Sequence, residues 1–303
     1  MPRGRLEQQL EAIERLKAGT ATAEAEHGLQ KALTNRNNYY VSKAAAAVET
    51  LGLKQLLPDL LTAYTRFFEQ DDSQCWAKTA LSKALAELGH EEPEPFLRGL
   101  THIQMEPVYG GQVDTAGILR GNCAIALVGC RSLSSMDLLR HLSPVLLDPV
   151  KTVRIEATRA VVRIGREEGA LLLRLRALQG DADAEVIAAL FAAIIALERR
   201  EGVQFVARFL AAGGETAEEA ALSLGESRTG DALEILKHHL ENLRQGDLRR
   251  AVITAIALTR LPDGTDFLLQ MIHREAPGAA EARQALLACG ALSEADRATL
   301  RTR

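Results

Sequence analysis

The chain has few aromatic residues: seven Phe, four Tyr and one Trp make up 4% of it, although 47% of its residues are hydrophobic. Its apolar content is therefore mostly Leu and Ala, the residues with the best helix propensities, which suit helices packed closely through small side chains. No apolar run is long enough to cross a bilayer. Met1-Pro-Arg-Gly-Arg leads into a polar amphipathic stretch rather than the apolar core of a signal peptide, so the expected location is cytoplasmic. An excess of positive charge is also missing. The formal net charge of −4 argues against a surface built throughout for nucleic acid, while leaving room for a local basic patch.

Metal and redox motifs are absent too. Cys75, Cys123, Cys130 and Cys289 have no CxxC spacing. Cys123 and Cys130 share a helix face about 10 Å apart, too far for a disulfide, so buried reduced thiols are expected. Seven histidines include no HExxH, and GxSxG, Walker A and Rossmann glycine patterns do not occur. No catalytic residue, metal or cofactor is expected.

The sequence does contain helix period, repeated. Apolar residues recur at three and four positions, as in Leu138, Leu139, Leu142, Val145 and Leu146, and no comparable run alternates at strand period. Helices are predicted over Leu53–Phe68, Gln74–Leu88, Pro95–Gln104, Thr115–Val128, Ser135–Leu147 and Val150–Ile164, with Gly or Asp in the breaks. Within this rhythm an Asp or Asn precedes a basic residue by six positions: Asn37 with Lys43, Asp72 with Lys78, Asp114 with Arg120, and Asp148 with Arg154. The basic members are 35, 42 and 34 residues apart. Glu185 and Glu219 then hold the period without the charge, and Arg250 and Arg283 resume it 33 apart.

This pattern resembles the HEAT repeat, in which an Asp in the intra-repeat turn and an Arg on the second helix form a ladder along the stack. Asp148-Pro-Val-Lys-Thr-Val-Arg154 matches it best, with Asp148 as N-cap and Pro149 in the first turn. The resemblance implies an all-α fold, a right-handed α–α superhelix (α-solenoid) of about seven HEAT-like hairpins forming one domain. Residues 22–290 would hold the repeats. A capping helix over 1–21, striped by Leu6, Leu10, Ile13 and Leu16, and a polar cap over 291–303 would close the ends. Glu185 and Glu219 depart from this pattern, carrying a carboxylate where the ladder has its basic residue.

Two features point to a binding surface. The 42-residue interval carries an insertion, Met105–Asp114, between paired helices, and insertions in repeat proteins map to loops that often bind. Within it Gly110 and Gly111 supply backbone freedom and Tyr109 supplies contact area. Every Tyr and the Trp also fall between positions 39 and 109. Tyr39 and Trp76 lie near the starts of second helices, which line the concave side of HEAT-type stacks. Trp76 could pack between repeats or stand on that surface.

The expected binding residues are Tyr39, Lys43, Trp76, Lys78, Tyr109, Gly110, Gly111, Asp114, Arg120 and Arg154. The aromatics would anchor a protein or peptide partner, and the basic residues would orient it. Nucleic acid is the alternative partner, centred on Arg120, Arg154, Arg159 and Arg163; a basic stripe of Arg159, Arg163, Arg166, Arg174 and Arg176 is either a solvated charged face or a site for phosphate or an acidic partner, and no membrane partner is expected. HEAT-like alkylpurine DNA glycosylases combine Trp residues with an Asp and an Arg in a basic groove, whereas this chain has a single Trp and net acidic charge. For a HEAT-like phycobilin lyase no distinguishing motif is present.

Overall fold

The computed structural model describes residues 3–20, 22–243 and 246–289, so the cap expected over 291–303 lies outside the described residues. The fold of the described residues is all-α apart from one short β-hairpin, and its helices pack in consecutive pairs. The chain divides into two compact units, Met1–Ile164 and Gly165–Arg303. Among the described residues, eight helix pairs occupy the stretch expected to hold about seven. None of the described helices is long and apolar enough to cross a membrane.

In the first unit, α1 (Arg3–Ala18) precedes four pairs: α2 (Ala23–Leu33) with α3 (Asn38–Leu51), α4 (Leu57–Arg66) with α5 (Trp76–Glu87), α6 (Glu94–Leu100) with α7 (Gly117–Leu127), and α8 (Ser135–Val145) with α9 (Lys151–Ile164). The second helices stack in order, α3 on α5 on α7 on α9, and α1 packs against α3 through buried Ile13. First helices α2, α4 and α6 form the other layer. The interface between layers is Leu and Ala with a few rings, including fully buried Tyr64, Phe67 and Phe96.

Local chemistry sets the boundaries. Thr22, Asn37 and Ser134 each accept a hydrogen bond from a first-turn N–H of α2, α3 and α8, and Gly52 ends α3 at φ 64°. Asp72 acts across a short 3₁₀ turn, accepting from the N–H groups of Ala77 and Lys78 at 2.9 Å each.

The second unit repeats the plan with α10 (Glu167–Gln179) and α11 (Ala184–Glu198), α12 (Arg200–Ala207) and α13 (Gly214–Glu226), α14 (Gly230–Asn242) and α15 (Asp247–Leu258), and α16 (Pro262–His273) and α17 (Ala279–Cys289). Here α11, α13, α15 and α17 stack in order. Gly225 lets α13 and α15 approach closely, since a Cβ there would lie 2.3 Å from the Ala255 carbonyl oxygen.

Among the described residues, one segment forms strands instead of helix. The insertion expected as a loop is a two-stranded antiparallel hairpin, β1 (Met105–Val108) and β2 (Gly111–Asp114), with Tyr109-Gly110 at its tip. Four-residue strands are too short for alternation to stand out in the sequence. Gly110 takes φ 88°, which a glycine adopts without strain, whereas Gly111 sits in strand conformation and does not use that freedom.

Candidate functional site

The ladder positions come together, though not as surface groups. Arg120 is buried, and its Nε and Nη2 fork onto Asp148 at 2.7 and 2.9 Å while Nη1 reaches Asp114 at 2.7 Å and the His102 carbonyl at 2.9 Å. It thus joins the turn of its own repeat to that of the next. Burial works against its charge, but bonds to the two carboxylates outweigh that and hold the guanidinium above its ordinary pKa. Burial likewise acts upward on Asp114, yet N–H groups of Ala116 and Gln104, together with Arg120, bring its carboxyl below the usual range.

Lys78 is also buried, 3.4 Å from Asp72 and donating to the Phe67 carbonyl. Arg154 is buried as well, donating to the carbonyls of Asp148 and Pro149. Lys78, Arg120 and Arg154 therefore bond within the chain instead of orienting a partner. Sequence spacing identified a ladder, but could not tell a buried rung from an exposed one.

Two rungs shift from their expected positions. At the first repeat Asn37 caps α3, and its neighbour Asn38 makes the cross-repeat bonds, to Asp72 Oδ1 at 3.0 Å and the Ser73 carbonyl at 2.8 Å. In the second unit Arg250 is exposed beside Asp247. Arg249 instead donates to the carbonyls of Leu240, Leu243 and Pro277, linking the end of α14 to the residues before α17. Glu219 interrupts the ladder. Burial first, and then the charges of Glu218, Glu226 and Glu215, push its carboxyl up.

With Lys78, Arg120 and Arg154 withdrawn, a different group of side chains faces outward. Trp76 remains 45% exposed at the start of α5 and stacks on Tyr39 of α3, with centroids 5.0 Å apart and planes tilted by 58°. Lys43 lies 5.2 Å from the Tyr39 ring centroid and has no carboxylate partner among the described residues. On α7, Ile118 is 65% exposed.

Together with Val113 of β2 and Val150 before α9, these residues line a groove of about 730 Å³ across the second helices of the first unit. Tyr39, Lys43, Trp76 and Asp114 are thus in or beside one groove. Tyr109 is fully exposed at the hairpin tip. Ile118 and Val113 were not legible in the sequence, where an apolar residue on a helix or in a loop gives no sign of being exposed.

The hairpin is fixed at its base. Glu106 accepts from the backbone and side chain of Gln74 at 2.7 and 2.9 Å, from Gln104 at 2.6 Å and from Thr115 at 3.0 Å. Burial would raise its carboxyl, but these bonds outweigh burial and hold it below the ordinary range. Its anchor is a strained turn, Gln74 and Cys75 both having positive φ (59° and 53°) directly before Trp76.

The basic stripe is divided by local pairing. Arg159 meets Glu156, Arg174 meets Glu198 and lies over Phe205, and Arg176 is buried against Asp181, leaving Arg163 and Arg166 exposed. No group of three or more His, Cys, Asp or Glu among the described residues is placed to hold a metal ion.

No family model matches the sequence, and no curated protein does. Solved structures give distant similarities. Human deoxyhypusine hydroxylase, solved in complex with glycerol, is 16% identical with a TM-score of 0.32, over 86% of this chain and 99% of that one. An engineered protein is 18% identical with a TM-score of 0.36, over 93% and 85%. Likenesses at this level carry no information about the groove or its use.

Proposed function

We propose that this chain is a non-enzymatic interaction module of HEAT type that binds a protein segment in the groove of its first unit. The observation that carries this reading is the exposed apolar surface there. A tryptophan, an isoleucine and a valine are left open to water beside a rigid hairpin, while the neighbouring buried charges are neutralised by their own carboxylates. Exposed aromatic surface rimmed by polar groups is the form that binding anchors take. Lys43 adds one uncompensated positive charge beside Tyr39, and Lys83 at the groove edge is paired with Glu49. The segment that fits best therefore has an apolar anchor next to an acidic residue.

Trp76 is the single tryptophan of the chain, so its emission reports on the groove directly. Peptides selected from a random phage-displayed library against the full chain should shift that emission to the blue and protect it from iodide quenching. Trp76→Phe and Ile118→Asp variants should no longer capture them. Selected peptides that leave Trp76 emission unchanged and bind Ile118→Asp equally well would remove the reading. Duplex DNA serves as the competing probe. Binding to it that falls steeply with salt and survives Ile118→Asp would assign the surface to nucleic acid instead.

A further inference from the structure

We infer that the segment held in this groove is bound as an extended strand, added to the free edge of β2. The inference rests on the groove being a peptide site and specifies how the peptide is held.

The hairpin register leads to it. Val108 opposes Gly111, Pro107 opposes Gln112, Glu106 opposes Val113 and Met105 opposes Asp114. Continuing the same ladder, the Thr115 N–H donates to the Gln104 carbonyl at 2.9 Å. Hydrogen-bonded pairs alternate along an antiparallel ladder, so 104–115, 106–113 and 108–111 are the bonded pairs. The backbone groups of Met105, Pro107, Gln112 and Asp114 accordingly point away from the partner strand.

The two outer edges are unequal. On β1, Pro107 has no N–H to offer, and its ring blocks further pairing, as prolines on protected edges do. On β2 both Gln112 and Asp114 keep an outward N–H and C=O. The groove is bounded by Val113, Asp114 and Thr115 and by no β1 residue, so the open edge belongs to the strand beside the groove.

An extended segment laid along β2 can make up to four main-chain hydrogen bonds. Its alternate side chains, on the face that β2 gives to Val113, then reach the exposed surfaces of Trp76 and Ile118, and an acidic residue among them can reach Lys43. The Glu106 clamp and the turn at Gln74 hold the edge in place before binding, which lowers the ordering cost of adding a strand.

The test uses a peptide taken from the selection above, so that the two readings separate. Single N-methylation is scanned along the peptide, with binding to the full chain read by Trp76 emission. Strand addition predicts a period of two: N-methylation where the N–H meets β2 weakens binding about tenfold, and at the intervening residues changes it little. Gln112→Pro should weaken binding by a similar factor while leaving the melting curve unchanged, because its N–H belongs to no pair inside the hairpin. Gln112→Ala should bind as the original does.

A peptide that requires Trp76 and Ile118 but tolerates N-methylation at every position, or loses binding at positions with a helical period, overturns strand addition and leaves the groove intact. A peptide indifferent to Ile118→Asp overturns both. A dimer of the free chain that Gln112→Pro dissociates would assign the edge to a second copy and overturn the inference.

Discussion

Replacing Arg120 by Met removes a charge that is 3% exposed and leaves Asp114 and Asp148, 11% and 10% exposed, without their shared cation. Breaking a buried ion pair from one side costs about 3–5 kcal/mol, because the abandoned charge stays desolvated. The two carboxylates retain some support, Asp114 from the N–H groups of Ala116 and Gln104 and Asp148 from that of Val150. The lower end of that range, about 3 kcal/mol, is therefore expected. For a unit of this size the loss corresponds to a fall of roughly 6–12 °C in melting temperature.

Acid supplies the sign. Asp114 is held below its ordinary pKa in the fold, so its contribution is present above the unfolded value of about 4 and is lost as pH falls through the folded one. The gap between original and variant should be full at pH 7 and narrow below about pH 4. Denaturant unfolding followed by circular dichroism at both pH values reads it. Arg159→Met, which removes an exposed pair with Glu156, should cost under about 0.5 kcal/mol. An Arg120→Met loss below about 1 kcal/mol, or one that does not change with pH, would show that the ladder is no buried electrostatic element.

Three further outcomes follow from the same structure. Gly225→Ala should destabilise by about 2 kcal/mol, since backbone atoms of Ala255 occupy the space a methyl needs, whereas Gly230→Ala, with nothing within 4 Å, should be neutral or slightly stabilising; equal melting temperatures would contradict the close approach. Burial pushes the thiols of Cys75 and Cys123 up to about 12 and that of Cys130 up to about 11, and all three are buried. An aromatic disulfide reagent at pH 8 should therefore find only half-buried Cys289 in the native chain and four thiols in denaturant, and two or more fast native reactions would contradict this. Glu106 is depressed, so its clamp on Gln74 holds above the ordinary carboxylate range and releases as pH falls through the folded value. Trp76 quenching should show that acid step, and Glu106→Gln should lack it.

The chain's own pattern was enough to determine a run of paired helices and the ladder spacing from Asp72 to Arg154, although it gave about seven pairs where the described residues form eight. Leu and Ala at three and four residues dictate buried helix faces, and Asp or Asn at a turn caps whatever helix follows. Those are local or periodic rules that a linear sequence expresses directly. It also located the insertion after α6 and the aromatic cluster around Trp76.

Only the tertiary structure decided which of these side chains reach water. Lys78 and Arg120 look like surface charges in the sequence and are buried rungs; Trp76, which the sequence left either between repeats or on the surface, is exposed, and so is Ile118. Asn38 and Arg249 hold positions that spacing gave to Asn37 and Arg250, because a shift of one residue turns a helix position by about 100° and changes which neighbour it meets. The open edge of β2 depends on a ladder register that four-residue strands do not reveal. Exposure and register are properties of packing between segments distant in sequence, and no local rule contains them.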